Sequence, residues 1–289
     1  MKMDLTKGSA LLGRLKNGWQ TYSRNRAAIF GLSLFVILIL AAASAPLLTP
    51  YRYDRLVTNP FKSPSSSYPM GSDNLGRDTF TEVLYGLRTS LTVGFLAAVI
   101  SVVVGSIVGA ATGYTRGYKE EIMTGSTELF QVIPVLFLGV TVVALWGSSF
   151  WVVVLVIGLT SWPTTARLVR AEFLSLRERP FVEAAKGLGA GDLRVTFGEI
   201  LPNATPPIIV NASFEVGRAI IIEAALSFLG LGDANVPSLG RLLHEAQPYL
   251  VTAWWMSVFP GLSIVLIVLS LNLVGDGLNE TMNPRMRER

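Results

Sequence analysis

A stretch of 38 residues without any charge, from Leu129 to Ala166, constrains the fold of this chain more than any other feature of the sequence. As one continuous α-helix it would be roughly 57 Å long, because each residue adds about 1.5 Å. The hydrocarbon core of a bilayer is only about 30 Å thick. We therefore predict that the stretch forms parts of two membrane helices, with the turn at Gly147-Ser148-Ser149.

Other long apolar runs in the chain are also long enough to form membrane helices. Charged residues make up 15% of its 289 residues and hydrophobic residues 51%, whereas soluble proteins have about 25% charged residues. The sequence therefore predicts an all-α integral membrane protein. Six transmembrane helices are predicted, at residues 28–49, 89–113, 122–146, 150–168 and 205–230 and within residues 246–275.

The distribution of Lys and Arg predicts how these helices are oriented. With the N-terminus in the cytoplasm, 17 of the 24 basic residues lie on the cytoplasmic side and 6 on the outer side, in agreement with the positive-inside rule. This orientation makes residues 1–27 and the tail 281–289 cytoplasmic and residues 50–88 an external loop. It also makes residues 171–202 a cytoplasmic loop within a core at residues 89–280. The first apolar run exceeds the roughly 7–15 residues of a cleaved signal peptide, so we expect it to remain as a helix.

Missing residue types exclude several classes of function. The chain has no cysteine and a single histidine, His244, which excludes thiolate sites, histidine clusters and a cysteine nucleophile. It has no Gly-x-x-x-x-Gly-Lys-Ser/Thr sequence, the loop that holds nucleotide phosphates. Its basic residues lie between apolar runs instead of on one exposed face, unlike those of nucleic-acid-binding proteins. We expect no catalytic residue, metal site or cofactor in this chain, and no nucleic-acid partner.

The loop at residues 171–202 contains a pattern typical of a short amphipathic helix. Apolar side chains recur at helical spacing and glycines then end the helix. The apolar residues are Phe181, Ala184, Ala185 and Leu188, and the glycines are Gly187, Gly189 and Gly191. Such a helix between two membrane helices suits insertion into a groove on a cytoplasmic partner. The alternative is an ordinary solvated loop.

The fifth predicted membrane helix contains three charged residues, Glu215, Arg218 and Glu223. A charge at the centre of a membrane helix costs roughly 2.5–3.5 kcal/mol on insertion scales. Glu215 and Arg218 are three residues apart and can pair on one helix face. Two interpretations stay open: an ion pair that only fixes packing between subunits, or a polar lining of a solute path. In the external loop, Asp73, Arg77 and Asp78 have the same ambiguity between docking a partner and bracing the loop.

Several motifs resemble those of a known family. Glu183-Ala184-Ala185, followed by Gly189 and by Leu201-Pro202, resembles the signature loop of ATP-binding-cassette importer permeases, although Glu199 stands where that signature has isoleucine. Four other segments are similar to the second, C-type permease subunit of the dipeptide, oligopeptide and nickel subfamily. These segments are Gly71–Asp78, Ala225–Gly232, Phe259–Gly261 and Asn272–Gly277.

This resemblance implies a fold, a site and partners. The fold would be one N-terminal helix plus a five-helix type I importer core. The function would be that of a transmembrane permease subunit of an ATP-driven importer in the prokaryotic plasma (inner) membrane. It would form a heterodimer with a second permease subunit, receive solute from an extracytoplasmic binding protein, and be driven by one or two cytoplasmic ATPase subunits that bind ATP and Mg. The residues implied in coupling to the ATPase are Glu183, Ala184, Ala185, Gly189, Leu201 and Pro202.

Two rival functions and the solute itself stay open at this stage. A secondary transporter would use ionisable residues at the membrane midplane, and an intramembrane enzyme would need a catalytic pair that the sequence does not display convincingly. The solute is a peptide or a similar small molecule: a dipeptide, an oligopeptide, glutathione, a nickel chelate or an oligosaccharide.

Overall fold

The computed structural model describes residues 18–282, and regular secondary structure in this part of the chain is helical. Most of the predicted cytoplasmic segment 1–27 and of the tail 281–289 therefore lies outside the described residues. A three-residue α-helical segment at Asp192–Arg194, a π-helix at Val195–Ile200 and a 3-10 helix at Gln247–Tyr249 lie between α-helices. The α-helices used below are labelled α1 to α10. They are α1 (Arg26–Ala43), α2 (Ala45–Leu48), α3 (Thr79–Tyr114), α4 (Tyr118–Val132), α5 (Val135–Trp146), α6 (Phe150–Arg177), α7 (Pro180–Gly187), α8 (Leu201–Phe228), α9 (Leu239–Ala246) and α10 (Trp255–Met282).

Side-chain caps define where several of these helices begin. The carboxylate of Asp78 accepts a 3.0 Å hydrogen bond from the backbone N–H of Thr81 at the start of α3. Asn25 and Ser149 do the same for α1 and α6. These contacts satisfy N–H groups that have no partner within the helix. Local sequence therefore sets the first turns of the helices.

Small residues set the distance between the two central helices, α3 and α6. A Cβ added at Gly105 would lie 2.6 Å from Cβ of Thr165, and one at Gly113 would lie 2.5 Å from Cβ of Phe173. The two backbones approach this closely only because glycine has no side chain. α3 thereby forms the centre of the bundle, with α6, α8, α10 and α1 packed around it.

The third membrane helix was predicted as one continuous helix at residues 122–146, and this prediction is wrong. The structure has two helices there, α4 and α5, which bend by 79° at Ile133 and Pro134. Proline has no N–H and clashes with the preceding turn, so it ends α4. The turn predicted at residues 147–149 is present between α5 and α6.

Helix α3 begins at Thr79, within the segment predicted as the 50–88 external loop. Asp78 caps this helix, which continues through Glu82 and Arg88, while the external placement of residues 50–88 stays a prediction. Charges near the start of α3 made this region resemble a loop. α6 and α8 likewise extend past the predicted bounds 150–168 and 205–230, since α6 ends at Arg177 and α8 begins at Leu201.

Four helices of the described chain, α1, α3, α6 and α10, are long and apolar enough to cross a membrane. The bent pair of α4 and α5 makes a fifth if it forms one span. α8 has 28 residues but carries three charged side chains and is not among these candidates. The structure therefore shows a multi-pass helical membrane protein without reproducing the predicted count of six.

Candidate functional site: a polar cavity and an exposed helix

A cavity of about 170 Å³ with a mixed polar and apolar lining lies where the break between α4 and α5 faces α6 and α8. We call it the Arg218 cavity. Two helix irregularities border it: the break at Ile133 and Pro134, and Pro163 inside α6. Non-helical backbone at membrane depth is tolerated where it is buried in protein or lines a water-filled space. The cavity is lined by Phe130, Gln131, Ile133, Val135, Thr160, Ser161, Pro163, Thr164, Glu215, Arg218 and Ile222.

Glu215 and Arg218 meet at one wall of this cavity in an ion pair, as their spacing of three residues predicted. The Glu215 side chain is 2% exposed, and it also accepts a 3.2 Å hydrogen bond from the hydroxyl of Ser101 on α3. The Arg218 side chain is 43% exposed, and its Nη2 lies 3.4 Å from the side-chain oxygen of Asn211. Both side chains line the cavity, and the cation is the more exposed member of the pair.

Glu223, the third charge of this helix, does not line the Arg218 cavity. Its carboxylate is buried and accepts hydrogen bonds of 2.7 Å from Ser90 on α3 and from Ser227, one turn along α8. The structure therefore separates the three residues expected on a translocation path. Glu215 and Arg218 stay together, while Glu223 belongs to a contact between helices.

The helix predicted from the signature loop is α7, which ends in the expected glycine turn. Gly189 has a φ of +82°, a conformation that favours glycine, and an added Cβ there would meet nothing within 4 Å. Glu183 and Ala184 are exposed, whereas Ala185 is half-buried. Leu201 and Pro202 lie apart from α7, in the first turn of α8. Two of the six residues implied in coupling thus form the start of α8.

The surface around α7 is more apolar than the predicted residues alone indicate. Leu188 is 90% exposed, and Leu193 and Phe197 beyond the glycine turn are 77% and 59% exposed. The spacing of four residues between Leu193 and Phe197 was a signal that the sequence reading missed. Val182 was missed as well. It is fully buried against Val195 and Ile200 and anchors α7 to the segment that leads into α8.

On the predicted outer side, Arg77 lies at the centre of three carboxylates. Its guanidinium is 2.5 Å from Asp73, 3.0 Å from Glu82 and 2.7 Å from Glu245. Burial alone would lower the pKa of Arg77, but the charges of Glu82 and Asp73 outweigh it and raise that pKa. The cluster joins the loop before α3 to α9. Arg77 and Asp73 therefore brace the loop, and Asp78 caps α3 as described above.

The lone histidine also has a partner within the protein. Nδ1 of His244 lies 2.8 Å from the backbone carbonyl oxygen of Phe228, which joins α9 to the end of α8. Its neighbour Glu245 accepts a 2.8 Å hydrogen bond from Arg241. Both side chains serve contacts between the elements on this side of the bundle.

The described residues thus combine at least four helices able to cross a membrane, a cavity beside a broken helix pair and a short exposed helix with exposed apolar residues after it. A broken helix beside a site with charged residues is typical of membrane transporters. Residues 101–288 match the family described as binding-protein-dependent transport system inner membrane component, and residues 13–67 match the N-terminal TM domain of oligopeptide transport permease C. The chain belongs to this family of transport permeases, and the family resemblance found from the sequence is confirmed.

Individual relatives agree with this assignment, and a solved structure shares the fold. The dipeptide transport system permease protein DppC of Alkalihalophilus pseudofirmus is 37% identical over 94% of this chain and 90% of its own length. The di/tripeptide transport system permease protein DppC of Pseudomonas aeruginosa is 34% identical over 94% of this chain and 93% of its own length. An inward-facing structure of the MetNI methionine ABC transporter shares the fold, with a TM-score of 0.60 at 19% identity, over 70% of this chain and 96% of that chain.

Proposed function

We propose that this chain is the translocation subunit of an ATP-driven peptide importer and forms the solute path together with a second, different permease subunit. The relatives named as dipeptide and di/tripeptide permeases support peptides as the solute. In this proposal an extracytoplasmic binding protein delivers the peptide, and one or two separate ATPase subunits bind ATP and Mg. The chain itself performs no bond chemistry and holds no cofactor. It lies in a prokaryotic inner membrane with both termini in the cytoplasm.

The observation that carries this proposal is the direct connection between the two candidate sites. Val182 of α7 packs against Val195 and Ile200, and Ile200 leads without a break into α8. Arg218 lies 17 residues after Leu201 on the same helix, a distance of roughly 26 Å at the rise of an α-helix. Pro206 and Pro207 lie between the two residues and remove backbone hydrogen bonds there, but the helix is continuous across them. A displacement of α7 can therefore reach the cavity along one helix. This connection supports a role for Glu183, Ala184 and Ala185 in receiving motion from an ATPase.

Reconstitution of the complete transporter tests this function. The chain, its second permease subunit and its ATPase are placed in proteoliposomes, and uptake of a labelled peptide is measured with the binding protein outside and ATP inside. Uptake is expected to stop when ATP or the binding protein is omitted. Uptake that persists without ATP and follows a proton gradient would instead establish the rival secondary transporter.

Cysteine labelling tests the orientation separately, because the chain contains no cysteine of its own. Ser66, in the predicted external loop, and Asp192, beside α7, are both exposed. An impermeant thiol reagent added to intact cells should label a Ser66→Cys variant and leave Asp192→Cys unlabelled. The reverse pattern would overturn the proposed placement of the termini in the cytoplasm.

A further inference from the structure

We propose that the Arg218 cavity binds the terminal carboxylate of the peptide during its passage. This inference rests on the proposed function and names the group of the substrate that the cavity recognises. The cavity, of about 170 Å³, is smaller than the roughly 300–1,000 Å³ of sites that enclose a whole drug-sized ligand. It therefore holds one end of a peptide.

Whether the cavity binds an anion or a cation depends on which member of the ion pair is more exposed. Glu215 is 2% exposed and already has contacts with Ser101 and Arg218. Arg218 is 43% exposed and lines the same cavity, so the cation is the more accessible of the two charges. Both contacts of Arg218 use Nη2, and among the described residues no ion pair or hydrogen bond of its Nη1 or Nε is found. These free N–H groups can form the paired hydrogen bonds that guanidinium groups make with carboxylates.

Further unused donors lie in the same cavity. Nε2 of Gln131 and Oγ of Ser161 are shielded from solvent and have no hydrogen-bond partner among the described residues. Buried polar atoms are nearly always paired, so unpaired ones indicate a missing ligand or water. Gln131 lies on α4 and Ser161 on α6, so they approach the cavity from different helices than Arg218 does. Three separate elements thus supply donors to one small space.

The start of α5 also favours an anion in the cavity. Val135, its first residue, lines the cavity, and the helix has no side-chain cap and no acidic residue in its first turn. The free N–H groups of a helix N-terminus and its dipole favour an anion. An arginine, two neutral donors and an uncapped helix start together select a carboxylate over an amide.

Protection of a reporter cysteine in the assembled transporter tests this proposal. Thr164 and Ile222 line the cavity without belonging to the proposed donors, so Thr164→Cys and Ile222→Cys serve as two independent reporters. Alkylation of each cysteine by a small neutral thiol reagent is measured with and without excess trialanine or trialanine amide. Trialanine should slow the reaction, and its amide should protect more weakly.

The variant Arg218→Gln should reduce protection by trialanine about tenfold or more, the loss expected for a hydrogen bond to a charged group. Arg218→Lys should retain part of it. Arg88→Gln is the matched control, because Arg88 is an exposed arginine of α3 that lines a different groove. Protection by trialanine should be unchanged in that variant.

Three results would overturn the carboxylate site: equal protection by trialanine and its amide, full protection in Arg218→Gln, or a failure of the reagent or the peptide to reach both cysteines. Failure of the proposed function is seen separately, as wild-type transporter that takes up no trialanine with ATP and binding protein present. Protection without uptake would therefore refute the transport proposal and leave the carboxylate site intact.

Discussion

The hydroxyl of Ser90 donates a 2.7 Å hydrogen bond to Glu223 and accepts one of 3.2 Å from the backbone N–H of Leu239. A single serine of α3 thus joins α8 and α9. A buried carboxylate is tolerated only where hydrogen-bond donors surround it, and Ser227 supplies the second donor at 2.7 Å. The junction of these three helices therefore depends on Ser90.

Replacing Ser90 by alanine should destabilise the protein by about 1–3 kcal/mol, because a buried acceptor loses its donor. The measurement is thermal or denaturant unfolding of the transporter in detergent. Thr92→Ala is the control on the same helix, since the Thr92 hydroxyl is exposed and bonds only to the carbonyl of Arg88 within α3. Equal stability of the two variants would contradict a bracing role for Ser90.

The ion pair of Glu245 and Arg77 should make stability depend on acidic pH. Burial alone would raise the pKa of Glu245, but the charge of Arg77 and hydrogen bonds from Arg241 and Arg77 hold that pKa below its ordinary 4.5. A carboxyl with a lowered pKa in the folded state stabilises the fold above its unfolded pKa, and that contribution is lost as the pH falls through the folded value. Glu245→Gln should therefore be less stable than wild type at pH 7.

The difference between Glu245→Gln and wild type should shrink when unfolding is followed below about pH 4.5. Asp54→Asn is the control, because Asp54 pairs with Arg52 on the surface, where their side chains are 52% and 74% exposed. Such pairs contribute little, so this variant should follow wild type at each pH. A stability difference for Glu245→Gln that is constant with pH would exclude the proposed ionic contribution.

The close contact between α3 and α6 predicts that alanine is harmful at a glycine within the contact and harmless at a glycine outside it. A Cβ added at Gly109 would lie 2.5 Å from the carbonyl oxygen of Ala166, whereas one at Gly125 in α4 would meet nothing within 4 Å. Gly109→Ala should destabilise by about 1–3 kcal/mol through overpacking. Gly125→Ala should stabilise by about 0.5–1 kcal/mol, since alanine is the better helix former. The unfolding midpoint should fall below that of wild type in Gly109→Ala and rise above it in Gly125→Ala.

Features set by neighbouring residues could be predicted from the sequence, and those set by distant residues could not. Glu215 and Arg218 were predicted as a pair because residues three apart share a helix face. The partner of Glu223 is Ser90, which is 133 residues away in the chain. Arg77 likewise finds Glu245 across 168 residues, beside the start of helix α3 in a segment that the sequence assigned to a loop.

The break at Pro134 shows a second limit of prediction from the sequence. The run 122–146 is long enough to cross a bilayer, so length and hydropathy predicted one span. Pro134 is a signal for a break that the sequence prediction did not use, and it does not tell whether a chain bends slightly or by 79°. Residues of α6 and α8 border the break and form the Arg218 cavity with it. The cavity could therefore be found only in the folded structure.

The last prediction concerns coupling and compares two glycines of one turn. Gly189 has a φ of +82°, while Gly191, two residues later, has an ordinary φ of −71°, and an added Cβ would meet nothing within 4 Å at either position. Alanine at 189 is strained by about 1–2 kcal/mol in the left-handed conformation, so Gly189→Ala should shift α7 and its exposed surface. Gly191→Ala should leave the turn unchanged.

In proteoliposomes, ATP-driven peptide uptake should fall severalfold for Gly189→Ala and stay near wild type for Gly191→Ala. Both variants should still assemble with the second permease subunit. Equal uptake by the two variants would show that the geometry of this turn does not matter for coupling.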